Sequence, residues 1–225
     1  DPKQAYIRTI EQLDHSIGQI LKTLKETGVD SNTLVVFTSD NGPWHLKLRH
    51  HGGSALPLRG AKFSTWEGGM RVPTIMRWPG KIPAGSVCGE LAAACDILPT
   101  FARLAKAELP KRKIDGKNIW RLMSGKEGAK SPHKAFYFYK GKGLRAVRSG
   151  HWKLHISSNN RKEQQSSKKP ALTLYNLSKD ISETTDVAAE NEPIVKRLYN
   201  QAQKFDKALK ADARPPGEVK TETKG

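Results

Sequence analysis

Cysteine is nearly absent: the 225 residues contain only Cys88 and Cys95. Two thiols so placed cannot build a multi-disulfide scaffold, and they make no C-x-x-C pair of the redox or zinc type. Two core thiols are expected, with a single disulfide as the alternative, and neither has the neighbouring base that an activated thiolate needs. Acidic side chains are also few, 22 Asp and Glu against 39 Lys and Arg, for a net charge of +17. That imbalance favours polyanionic partners or simply makes a basic surface. Aromatic residues are 7% of the chain and the basic residues are scattered, without the aromatic interleaving of nucleic-acid grooves. No zinc-finger, RNP or helix-turn-helix pattern appears, so no nucleic-acid partner is expected. No apolar run is long enough for a membrane-spanning helix, and the Asp1-Pro2 start shows no charged-then-apolar leader.

What is present reads as one or two globular domains with 36% hydrophobic residues. Asp1-Pro2 has the form of an N-cap followed by proline at the first helical position. Ile7, Ile10, Leu13, Ile17, Leu21 and Leu24 then recur at the spacing of one buried helical face, and Gly28 ends the helix. "TLVVFT" follows, apolar without alternation, as in a strand covered on both faces. Helix then buried strand implies an α/β fold with a mostly parallel sheet. "VPTIMRW" reads as a second such strand and "DILPTFARLAKAEL" as an amphipathic helix N-capped by Asp96; a short helix is expected from Lys117 to Met123. After Lys134 the pattern changes. "AFYFY", "GLRAVRSG", "HWKLHI" and "ALTLYNL" are short aromatic and branched runs, the pattern of an antiparallel sheet. Helical spacing returns from Pro193 to Leu209. The expected organisation is residues 1–130 as part of an α/β domain, 131–213 as a small antiparallel sheet with a helix, and 214–225 as a disordered tail.

In parallel sheets, ligands sit beyond the carboxyl ends of the strands, and Asp40-Asn41 lies just past "TLVVFT". The pair offers only oxygen ligands, which suit a hard cation such as Ca²⁺ or Mg²⁺ better than zinc. "SDNG" by itself also reads as a turn. Lys62 stands in a second loop between Gly60 and Gly68-Gly69, with Trp66 nearby; it is a surface lysine or a cation that holds an anion beside a metal. His45, His50 and His51 lie between the two, each open to an acid, base or merely polar role, with His51 favoured because it precedes Gly52-Gly53. His15, His133, His151 and His155 read as surface or packing residues.

Taken together, "TLVVFTSDNG", "GGSALPLRGAKFSTWEGGMRVP", "CDILPTFARLA", "DGKNIWRLMSG" and "LYNLSKDISETTDVAAE" resemble the carboxyl-terminal half of a type I sulfatase of the arylsulfatase group. The resemblance covers nearly the whole chain. It implies an alkaline-phosphatase-like α/β sandwich with a small C-terminal antiparallel sheet. It further implies that Asp40 and Asn41 are ligands of Ca²⁺, with Mg²⁺ less favoured, that Lys62 binds the sulfate group, and that Glu67 and Arg71 brace the loop. The family's nucleophile is a formylglycine made from Cys or Ser in a C/S-x-P-x-R motif. No such motif occurs here, and the family's amino-terminal acidic ligands, lysine and histidine also lack counterparts.

The expectation is a chain that supplies one wall of a sulfate-ester hydrolase, with a sulfated glycan as a candidate substrate, and whose partner is the rest of the same polypeptide. A periplasmic or secreted location follows from the resemblance. Alone, the chain is expected to be inactive and prone to self-association along the open edge of "TLVVFT". The alternatives are a phosphodiesterase or phosphatase of the same superfamily and a non-catalytic polyanion-binding module.

Overall fold

The computed structural model describes residues 1–44, 53–156 and 171–213. His45, His50, His51, residues 157–170 and the tail 214–225 therefore lie outside the described residues.

Helix α1 spans Pro2–Glu26, and Asp1 caps it by accepting the Lys3 N–H at 2.9 Å. At its other end Gly28 takes φ 73°, the Gly28 N–H donates to the Lys25 carbonyl and the Val29 N–H to that of Leu24. This crossed pair needs a left-handed residue, which is why glycine stands there. The apolar stripe expected to be buried is only partly covered. Ile17, Leu21 and Leu24 are half-buried, but Ile7, Ile10 and Leu13 are 39%, 46% and 45% exposed. The spacing makes the stripe, but the described residues supply no surface to cover its first half.

Strands β1 (Val35–Thr38) and β2 (Thr74–Arg77) come from the two apolar runs expected to be strands. They pair with each other antiparallel, Val35 opposite Arg77 and Thr38 opposite Thr74. A parallel pair needs a crossover of a dozen or more residues, usually a helix, and the described residues between them hold only the four-residue helix α2 (Glu67–Met70). Both strands are half-buried or exposed rather than covered on both faces. Arg77 clamps β2 to the turn after α1 through a two-pronged contact with Asp30 at 2.6 and 2.8 Å.

Helix α3 covers Ile97–Ala105. Asp96 precedes it but does not cap it; its buried carboxylate accepts the N–H groups of Ala93 (2.8 Å) and Lys117 (2.7 Å) and contacts His133 Nε2 at 2.8 Å. A carboxylate can only accept, so His133 carries its proton on Nε2. Because Asp96 takes the inward position, its neighbour Cys95 faces out. Cys88 and Cys95 are both free and exposed, against the expectation of core thiols. The short helix α4 (Trp120–Met123) buries Leu122 and Met123.

The remaining elements form a four-stranded antiparallel meander of β3 (Phe136–Lys140), β4 (Gly143–Ser149), β5 (Trp152–His155) and β6 (Thr173–Asn176), neighbours in chain order. Helix α5 (Glu192–Ala211) lies against β4 and β5. Val147, Leu154, Leu174, Leu198 and Ala202 are completely buried between sheet and helix. Tyr137 of β3 stacks on Phe205 of α5 with ring centroids 3.7 Å apart. No helix among the described residues is long and apolar enough to cross a membrane.

Candidate functional site

Beyond the end of β1 the chain turns through Asp40, Asn41 and Gly42. The Asn41 side-chain amide donates to Asp40 Oδ1 at 2.6 Å, which sets the two oxygen-bearing side chains side by side. Asp40 is exposed and Asn41 half-buried. The Gly42 N–H donates to the Gly69 carbonyl at 3.1 Å, and the next carbonyl, of Pro43, accepts the Lys62 N–H at 3.0 Å. The acid–amide turn and the lysine loop are thus tied backbone to backbone.

Glycine makes the approach possible. A Cβ on Gly42 would lie 1.8 Å from the Gly68 carbonyl oxygen, and one on Gly68 would lie 2.6 Å from that of Arg59. At the tip of the loop the Ser64 N–H donates to the Ala61 carbonyl at 3.0 Å, with Lys62 and Phe63 at the corner. Phe63 takes φ 71°. A left-handed non-glycine residue costs on the order of 1–3 kcal/mol and is retained where surrounding structure dictates it, often at ligand sites. Lys62 Nζ stands 5.2 Å from the Trp44 ring centroid and 5.5 Å from that of Phe63, and the two rings meet edge to face.

Glu67 opens α2 and is 2% exposed. Its two oxygens accept Arg148 Nη1 at 2.7 Å and Lys153 Nζ at 3.0 Å. The same Lys153 ammonium, fully buried, reaches Glu183 Oε1 at 2.9 Å, and His155 Nε2 lies 3.0 Å from that oxygen. Glu183 Oε2 accepts the Glu67 N–H at 2.7 Å, while the Glu183 carbonyl accepts Arg59 Nη1 at 2.7 Å. The Arg59 guanidinium lies 3.8 Å over the Trp66 ring, which packs on His155 at 4.1 Å. Two buried carboxylates meet a buried ammonium and the half-buried Arg148 guanidinium, so their charges balance, as burial of ions requires.

Burial pushes the His155 imidazolium below its ordinary 6.5, and the nearby Lys153 ammonium adds to that, outweighing the upward pull of Glu183. For Glu183, burial raises the pKa, but the contacts with His155, Lys153 and the Glu67 N–H outweigh it and hold the carboxyl below 4.5. Both groups therefore bind protons more readily unfolded than folded, so stability falls on acidification. The His155 contribution is complete above 6.5 and lost as pH falls through its folded value; that of Glu183 is complete above 4.5 and lost below. In chemical denaturation, the stability advantage of wild type over His155→Gln should shrink from about pH 7 to about pH 5. A difference that stays constant or grows on acidification would contradict this reading.

Of the residues read from the sequence, Asp40 and Asn41 lie in one loop and Lys62 in another, and the two loops are tied backbone to backbone. His51 lies outside the described residues. Glu67 braces the lysine loop from inside the protein; Arg71 closes α2 with its N–H on the Glu67 carbonyl at 2.7 Å and is itself exposed. Arg148, Lys153, His155 and Glu183 were not read as part of the site. His155 and His133 are packing residues, each paired with a buried carboxylate. Among the described residues no three His, Cys, Asp or Glu side chains cluster to hold a metal. Asp40 and Asn41 offer oxygen donors, the kind of which calcium takes six to eight.

Comparison with known proteins bears on this arrangement. The family model "Sulfatase" matches residues 1–107, and "N-sulphoglucosamine sulphohydrolase, C-terminal" matches residues 61–208. Arylsulfatase A of Bos taurus is 36% identical over 225 aligned residues, covering 89% of this chain and 44% of that protein. Among solved structures, Ps i-CgsB in complex with k-i-k-neocarrahexaose superposes with a TM-score of 0.76 at 29% identity, over 92% of this chain and 43% of that one. The PsFucS1 sulfatase from Pseudoalteromonas sp. superposes at 0.73 with 31% identity, over 89% of this chain and 41% of that one. The chain spans less than half the length of the curated relatives it matches. Its fold is the alkaline-phosphatase-like α/β fold of those structures, carrying a small antiparallel sheet. With family matches that together run from Asp1 past the start of α5, the chain belongs to the sulfatase family.

Proposed function

We propose that this chain forms one wall of the active site of an enzyme that hydrolyses sulfate esters. The observation that carries the reading is the backbone tie of Gly42 and Pro43 to Gly69 and Lys62, which holds the lysine loop against the acid–amide turn. In this reading Asp40 and Asn41 hold Ca²⁺, or less favourably Mg²⁺, and Lys62 donates to a sulfate oxygen. Bound calcium would offset negative charge on the sulfate. The formylglycine that the family resemblance implies would supply the attacking oxygen, and no motif for it occurs in this chain. Lys62 orients the anion, and the Trp44 and Phe63 rings stand beside its ammonium. The amino-terminal part of the same polypeptide is the partner that completes the site, so residues 1–225 alone should not turn over. A sulfated glycan is the proposed substrate class, supported by the net charge of +17 and by the oligosaccharide in the Ps i-CgsB complex. Placement in the periplasm or outside the cell rests on the family resemblance alone.

The test uses the full-length protein with a sulfate ester and its phosphate analogue, and measures Ca²⁺ affinity by calorimetry. Sulfate-ester hydrolysis should exceed phosphate hydrolysis, since an oxygen-only acid–amide pair makes a poor zinc site. Asp40→Ala should weaken Ca²⁺ binding roughly tenfold or more and beyond the effect of Asn41→Ala, because it removes a full charge from the ion's ligands. Preference for the phosphate analogue would favour a phosphatase. Salt-sensitive binding of heparin without any hydrolysis would favour a non-catalytic polyanion-binding module. Equal Ca²⁺ affinity in wild type and Asp40→Ala would remove the pair from the metal site.

A further inference from the structure

We propose that Lys153 and Glu183, far along the chain in the C-terminal sheet region, are positioning residues for Lys62 and the Asp40–Asn41 pair. The inference rests on the functional reading above. Its physical basis is an unbroken line of contacts. Helix α2 is only four residues long and has no stability of its own. It is held from outside at its first residue: the Glu67 carboxylate is fixed by Lys153 and Arg148, and the Glu67 N–H by Glu183. From the next residues the hold passes to both site loops, because the Gly68 N–H donates to the Arg59 carbonyl at 2.7 Å and the Gly69 carbonyl accepts from Gly42. The backbones there are too close for a single added Cβ. A shift of α2 is therefore not absorbed locally, and interiors packed this tightly transmit displacement.

Lys153 is the centre of the assembly. Its ammonium contacts one oxygen of each glutamate and lies 4.3 Å from the Phe138 ring centroid. Without it, Glu67 loses the ammonium that ties it to β5 and to Glu183, so α2 is no longer fixed on the sheet, and two buried carboxylates are left short of a shared cation. The folding core lies on the other side of β5, where Leu154 packs with Val147, Leu174 and Leu198. The sheet and α5 can thus persist while the lysine loop loses its support. Misplacement by about 1 Å can cost a reaction up to roughly a hundredfold.

The experiment compares full-length wild type, Lys153→Met, and the double variant Lys153→Met/Glu183→Gln. The double variant removes the unpaired charge, leaving Glu67 paired with Arg148, and keeps an acceptor for the Glu67 N–H; where the single variant does not fold, the double variant is the one read. Sulfate-ester kcat and KM, Ca²⁺ affinity and the melting temperature are measured. The expected result is a kcat lowered roughly ten- to a hundredfold, more than KM is raised, with weakened Ca²⁺ binding, and no recovery of either in the double variant although its melting temperature rises over the single. Kinetics and Ca²⁺ affinity like wild type in a folded variant would overturn the proposal. So would activity that returns in step with the melting temperature, which marks a purely structural role. Wild type inactive on sulfate esters would instead overturn the functional reading itself.

Discussion

Lys62→Ala in the full-length protein should lower kcat/KM for a sulfate ester by roughly ten- to a hundredfold or more, with little change in melting temperature. Charge-assisted hydrogen bonds are worth about 1.5–3 kcal/mol each, and the proposed bond from Lys62 to a sulfate oxygen would be of that kind. Stability should hold because the side chain is half-buried and the loop around it is fixed by backbone: Lys62 N–H on the Pro43 carbonyl, and Ser64 N–H on that of Ala61. Lys62→Arg should not restore full activity, since a planar fork does not present donors where a compact ammonium does. Unchanged kinetics in Lys62→Ala would return the residue to the ordinary surface.

Gly42→Ala should be as damaging while touching no ligand. The new methyl would stand 1.8 Å from the Gly68 carbonyl oxygen and 2.8 Å from its carbonyl carbon, and both belong to backbone that cannot rotate away. Relief requires the Asp40–Asn41 turn and α2 to part, which breaks the Gly42–Gly69 hydrogen bond. The proposed metal and sulfate halves of the site should then fail together: Ca²⁺ affinity and kcat/KM both fall, with a loss of stability of about 1–3 kcal/mol. A Gly42→Ala protein with intact Ca²⁺ binding and turnover would show that the two loops are not mechanically coupled.

Much of the arrangement was legible because it rests on local chemistry. Asp1-Pro2 and Gly28 mark the ends of α1 through their own caps, and the four aromatic and branched runs after Lys134 became β3 to β6 in order. Asp40-Asn41 and Lys62 stood out because acid, amide and lysine stand among glycines whose role is close backbone approach. Three things were not legible. The direction of β1 against β2 is not written in an apolar run; it follows from the connection between them. The α1 stripe reads as buried by spacing alone, but burial depends on a partner surface. Lys153 and His155 alternate with Leu154, a pattern that leaves a strand's second face open to solvent or to packing, and it does not name a partner for either. Only the fold shows that this face meets Glu67, 86 residues earlier, and Glu183.

A lysine fully enclosed between two carboxylates is also shielded from amine-reactive reagents, which cannot reach its nitrogen. Lys62, half-buried in its loop, is open to slow acylation, whereas Lys153 reacts only when α2 lifts from the sheet. The ratio of their labelling rates is thus a clock for the parting of loop and sheet. It runs inside the native protein, below any temperature at which the chain as a whole unfolds.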